Sequence, residues 1–110
     1  MGYSTNPYDL TSIYGTVTAS GDTTIIAAPT GGQRIVIYYR RYTRTNTTDV
    51  TVIWKDGSTA TDSIPINSEV PGILEVFDDG EAIRLSPNAA LVINLSTTAS
   101  IAWRIRYRVE

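Results

Sequence analysis

The sequence predicts an all-β domain, an antiparallel β-sandwich of about eight strands, and three observations carry that prediction. Apolar residues recur with a period of two almost everywhere, as half-buried strands require. No segment carries a helical apolar stripe. Clusters of Gly, Pro, Asn and Asp interrupt the runs at short intervals, where tight turns need them. At 110 residues there is room for one domain with a single thin core.

The last strand is the clearest. Ile101, Trp103, Ile105, Tyr107 and Val109 alternate with Ala102, Arg104, Arg106 and Arg108, so the apolar set faces the core and the arginines face away. A slip of one residue would bury three arginines, which sets the register, and the strand is expected to lie paired within a sheet. Residues 90–95 form a strand joined to it by the polar link 96–100, which reads as a β-hairpin. Residues 33–44 form a long strand with Ile35, Ile37 and Tyr39 on one face and Val36, Tyr38, Arg40 and Tyr42 on the other. Residues 49–55 follow, with Val50, Val52 and Trp54 alternating, and Asp56-Gly57 supplies a hairpin turn signal. Shorter strands are expected at 13–19, 23–28, 58–66 and 73–77. Residues 1–12 are polar, contain Pro7 and show no periodicity, so they read as an extended N-terminal arm outside the core. The domain division is therefore 1–19 for the arm and first strand and 20–110 for the sandwich.

Composition narrows the chemistry. The chain has no cysteine and no histidine, which removes the thiolate nucleophile, the usual neutral-pH base and the commonest metal ligands. No glycine-rich phosphate loop or metal-ligand spacing occurs. The reading is a binding protein, not an enzyme, with no catalytic residues, no metal and no cofactor. A formal charge of −2 argues against nucleic acid as partner, since phosphate binders are basic overall. No apolar run approaches the ~20 residues of a membrane span, and the N-terminus lacks a signal peptide, so synthesis and use without export are expected.

The basic residues are eight arginines and one lysine, Lys55. Arginine offers a planar fork of donors and is weakly hydrated, which suits ordered protein contacts. Two groups stand out. Arg104, Arg106 and Arg108 form a ladder at about 7 Å spacing on one strand face. Such a row needs carboxylates from neighbouring strands or from a partner. Arg40, Arg41 and Arg44 interleave with Tyr38, Tyr39 and Tyr42, and Arg with Tyr is the pairing enriched at protein hot spots. The candidate partner-binding residues are Tyr3 and Tyr8 of the arm, Arg40, Tyr42 and Arg44, and Arg104, Arg106 and Arg108. The acidic run Asp78-Asp79-Gly80-Glu81 is too short for a calcium loop and reads as a polar turn.

Three stretches resemble a known group. They are Ser20-Gly21-Asp22-Thr23-Thr24-Ile25-Ile26-Ala27-Ala28 with Gly31-Gly32-Gln33-Arg34-Ile35-Val36-Ile37, then Val52-Ile53-Trp54-Lys55-Asp56-Gly57, then Asn88-Ala89-Ala90-Leu91-Val92-Ile93-Asn94-Leu95-Ser96 with the closing strand. Together these look like the jelly-roll decoration, or cement, proteins on the heads of tailed bacteriophages. The resemblance covers roughly residues 20–110 and rests on strand and turn patterns without a catalytic signature. It implies a jelly roll, a dimer or trimer, a position on the outer capsid surface after synthesis in the host cytoplasm, and the major capsid protein as partner. The function so implied is stapling adjacent capsid subunits to stabilise the shell. A tail or fibre module, or a carbohydrate-binding sandwich with Trp54 and Trp103 as stacking platforms, stays open as an alternative. Both tryptophans lie in phase with the apolar alternation, however, and are expected to be buried.

Overall fold

The computed structural model describes residues 10–110, and the arm residues Tyr3 and Tyr8 lie outside them. The strands are β1 (Thr11–Val17), β2 (Gly21–Ile26), β3 (Ile35–Arg44), β4 (Val50–Asp56), β5 (Thr59–Ile66), β6 (Gly72–Val76), β7 (Ile83–Arg84), β8 (Leu91–Leu95) and β9 (Ile101–Val109). All pairings are antiparallel. One sheet runs β1-β9-β3-β6, with β7 also on β3, and the other runs β2-β8-β4-β5. The outermost strand of the chain pairs with its last, β2 with β8, β3 with β6 and β4 with β5. A long folded-back ribbon rolled into two sheets has this order, so the fold is a jelly roll. β7 is the strand that periodicity missed, because two residues carry no period.

The chain changes sheet at every connection except β4–β5 and β6–β7. This corrects one expectation. Residues 90–95 and 101–109 are not a hairpin: β8 and β9 belong to different sheets. The link 96–100 instead spans the end of the sandwich. Its backbone is held by bonds from Ser96 N to Thr51 O, from Ala99 N to Thr18 O and from Thr45 N to Ser100 O. Buried Ala99 seals that end. The Asp-Gly turn, by contrast, is a true two-residue hairpin, with Asp56 opposite Thr59 and Gly57 at φ +63°. Only glycine takes that left-handed conformation without a steric cost.

The core lies between the sheets. Ile35, Ile37, Ile101 and Ile105 from one sheet meet Val52, Trp54, Ile93 and Leu95 from the other. Trp54 is fully buried, and the half-buried Trp103 packs on the core under β1. A Cβ on Gly15 would stand 2.9 Å from Trp103 Cζ2, so β1 passes over the indole only because residue 15 has no side chain. Both tryptophans thus face the core side, as their phase requires, but only Trp54 is buried, and Trp103 keeps part of its surface exposed.

In β3 the alternation breaks. Ile37 faces Tyr107 and Tyr39 faces Arg106, so Tyr38 is an extra residue with no partner on β9. One inserted residue reverses the phase of everything after it. Arg40 therefore opposes Ile105, and Tyr42 opposes Trp103, both on the core side. Tyr42 is fully buried and meets Trp54 edge-on, with ring centroids 5.3 Å apart. Among the described residues, its hydroxyl has no hydrogen-bond partner. Burial pushes the Tyr42 phenol up to about 12. An unfolded tyrosine ionises near pH 10, so this contribution to stability is complete below pH ~10 and is lost as pH rises from there through about 12. Tyr42→Phe removes an unpaired hydroxyl and keeps the ring. Urea unfolding should show stability at neutral pH unchanged or raised by up to ~1 kcal/mol, with a shallower fall above pH ~10. A loss of about 2 kcal/mol at neutral pH would contradict this.

Candidate binding face

The phase reversal in β3 decides which arginines reach solvent. Arg40 is 2% exposed and lies between the sheets. Its Nε donates to Glu75 Oε1 at 2.6 Å, and one terminal nitrogen donates to Asp62 Oδ2 at 3.2 Å. The guanidinium carbon stands 5.1 Å from the Trp54 ring centroid and 5.7 Å from that of Tyr42. The buried charge is thus held by two carboxylates and two aromatic rings. Arg40 and Tyr42 are interior residues, which corrects their assignment to a partner-binding surface. Arg44 is also turned inward in the strand, and it donates to Asp49 Oδ1 and Thr47 O, both at 3.3 Å. It holds the 45–49 turn and is not a free cation.

The ladder on β9 divides as well. Arg108 lies 3.0 Å from Glu110 and 3.6 Å from Asp79, and Arg84 reaches the same two carboxylates at 3.4 Å. Tyr38 donates its hydroxyl to Asp79 Oδ1 at 2.6 Å, while the Arg108 guanidinium covers its ring at 5.6 Å. The Tyr38 hydrogen bond, above all, holds the Asp79 carboxyl below the usual carboxylate range, and Arg84 and Arg108 add to it. This cluster fastens the 77–82 loop to the sheet. The acidic run is therefore more than a turn, since Asp79 is the acceptor on which three side chains converge.

Arg104 and Arg106 stay outward, and Arg41 joins them. Strand pairing arranges the outer surface of the β1-β9-β3-β6 sheet in rows about 14 Å across. One row reads Tyr14, Arg104, Arg41, Leu74, and the next reads Ser12, Arg106, Tyr39, Val76. Tyr14 is 74% exposed, and Leu74 and Val76 are also exposed. Arg104 lies over the Tyr14 ring at 5.3 Å and Arg106 over Tyr39 at 4.8 Å. Among the described residues, no carboxylate pairs with Arg41, Arg104 or Arg106. Among the described residues, the face thus carries three uncompensated charges at its centre, with Tyr14, Leu74 and Val76 at its edges. At one end it opens into a groove of about 500 Å³ lined by Leu10, Tyr39, Val76, Phe77, Asp79 and Arg106.

Of the sequence-derived site residues, the structure brings together only Arg104 and Arg106 on this face. Arg41, Tyr14, Tyr39, Leu74 and Val76 complete it. Tyr14 was readable from the phase of Ile13, Gly15 and Val17. Leu74 and Val76 alternate with Ile73 and Glu75, so β6 is apolar on both faces and its inward Glu75 signals a buried cation. Nothing in the sequence announced the bulge that turns Arg41 outward. Among the described residues, no group of three or more His, Cys, Asp or Glu side chains could hold a metal ion. No helix there is long and apolar enough to cross a membrane.

No protein-family model matches the chain, and no curated protein matches it. Among solved structures it is similar to a chain described under "Bacillus endospore appendages form a novel family of disulfide-linked pili". The two share 20% identity over 89% of this chain and 85% of that one, with a TM-score of 0.48. A likeness of that depth assigns no function or partner.

The buried ion cluster yields a stability test. Glu75 is 30% exposed and Asp62 41%, so each keeps some water, while Arg40 keeps almost none. Asp62→Ala should cost up to about 1 kcal/mol, and Glu75→Ala more. The double variant strands the guanidinium and should cost about 3–5 kcal/mol in urea unfolding. Equal small losses for all three would contradict this.

Proposed function

We propose that the chain is a structural binding module, not a catalyst, that docks the outer face of its β1-β9-β3-β6 sheet onto a protein assembly. In its specific form, it is a decoration protein on the outside of a tailed-phage head, made in the host cytoplasm and acting as a dimer or trimer. There it staples adjacent major capsid subunits. The observation that carries the docking role is the face itself, where Arg41, Arg104 and Arg106 lack carboxylate partners among the described residues and lie beside exposed Tyr14, Leu74 and Val76. Arginine and tyrosine are the residues that anchor protein interfaces. The capsid reading is supported by the jelly-roll strand order and by the strand and turn stretches that resemble decoration proteins. The carbohydrate alternative is less well supported, since Trp54 is in the core and the half-buried Trp103 faces inward beneath β1.

Mechanically, a rigid sandwich adds contacts across joints that open under internal pressure. Modest contacts suffice, because a dimer or trimer engages several subunits at once and gains avidity. Charge pairs across the contact set register and partner choice. Purified protein mixed with undecorated heads and imaged should attach at defined lattice points, and raised salt should weaken the attachment. Random or absent attachment would overturn the head reading, and attachment confined to tails would replace it with the tail-module alternative.

A further inference from the structure

Arg41 and Arg104 are direct cross-strand partners on β3 and β9, both on the outer side of the sheet. Like charges so placed destabilise a sheet, and no carboxylate of the described residues neutralises them. Arg40, Arg44, Arg84 and Arg108, by contrast, all have acidic partners. At this pair the repulsion is left standing in the middle of the face, with Leu74 at one end of the row and Tyr14 at the other.

We propose that this row is a carboxylate clamp for an acidic protein segment, in which Arg41 and Arg104 together grip one Asp or Glu of the partner and Leu74 and Tyr14 take the apolar residues beside it. This rests on the docking role of the face and names the chemistry of what docks. Two adjacent guanidinium forks match the oxygens of a carboxylate and give charge-assisted hydrogen bonds. A phosphate polymer fits less well. It would run from the arginines into the loop that carries Asp78, Asp79 and Glu81, where the groove beside Arg106 is acidic. It would also leave Leu74 and Val76 uncovered. A second copy packed face to face would bring arginine, tyrosine and aliphatic groups to these rows and no carboxylate, so it would leave the two charges unanswered.

The clamp makes a prediction that a merely structural pair does not. Removing one charge should relieve the free protein and harm the bound one. At low salt, Arg41→Gln and Arg104→Gln should unfold at or slightly above the wild-type temperature. Poly-L-glutamate should raise the wild-type Tm by several degrees through mass action, and the shift should vanish in the double variant. Oligothymidylate of matched charge should give a smaller shift. An equal or larger shift with oligothymidylate, no shift with either polymer, or a clearly lowered Tm in the single variants would each overturn the clamp. Wild-type heads-binding separates this from the docking role. If wild type and double variant bind heads equally, the clamp is wrong and docking stands. If neither binds heads while the polyglutamate shift survives in wild type alone, the clamp stands and the capsid reading falls.

Discussion

The extra residue at Tyr38 is the constraint on which the surface of this protein depends. In a regular strand, residues 37, 39 and 41 would share the core side with Ile35. Because Tyr38 has no partner on β9, Arg40 and Tyr42 take the inward positions while Tyr39 and Arg41 face out. The same event puts Tyr38 and Tyr39 on one side, each under an arginine of β9. A bulge increases local twist and re-aims side chains, and bulges concentrate where a sheet must present something specific.

The cost of that inversion is a charge in the interior, and the fold meets it with neighbours from both sheets. Glu75 comes from β6, beside Arg40 in its own sheet, and Asp62 comes from β5 in the other. The pair of carboxylates stays partly hydrated, so the ion cluster avoids full desolvation on the acidic side. The remaining acids are placed with similar economy. Asp79 and Glu110 neutralise Arg84 and Arg108, Asp49 neutralises Arg44, and Asp22 neutralises Lys55. Among the described residues, Arg41, Arg104 and Arg106 are left without a carboxylate on one sheet face. A net charge of −2 conceals this, since a sum over the chain does not say where the charges lie.

Fold class was legible because it depends on period and turn chemistry, and both are local. The alternation of β9 settled its register, and the phase of Trp54 and Trp103 settled the side on which they lie, though only Trp54 is buried. The sheet assignment of β8 and β9 was not legible, because a five-residue polar link serves a hairpin or a crossover equally well. Only contacts with Thr18, Thr45 and Thr51, far off in sequence, distinguish the two. Two positions of the candidate face were hidden for a related reason. Tyr39 and Arg41 carry the wrong phase for a surface pair unless a bulge intervenes, and no glycine or proline marks it. Arg40 and Tyr42 looked like surface residues by the same uninterrupted count.

Thiol accessibility tests the inversion directly, because the chain has no cysteine of its own. Ile37→Cys and Arg41→Cys sit four residues apart, an even spacing that a regular strand would place on one side. Labelling of the folded variants with a thiol reagent should find the thiol at 41 about as reactive as in unfolded chain, and the thiol at 37 slower by about 100-fold or more. Comparable protection at the two positions would mean that β3 runs without the bulge, and the arginine face described for this sheet would not exist.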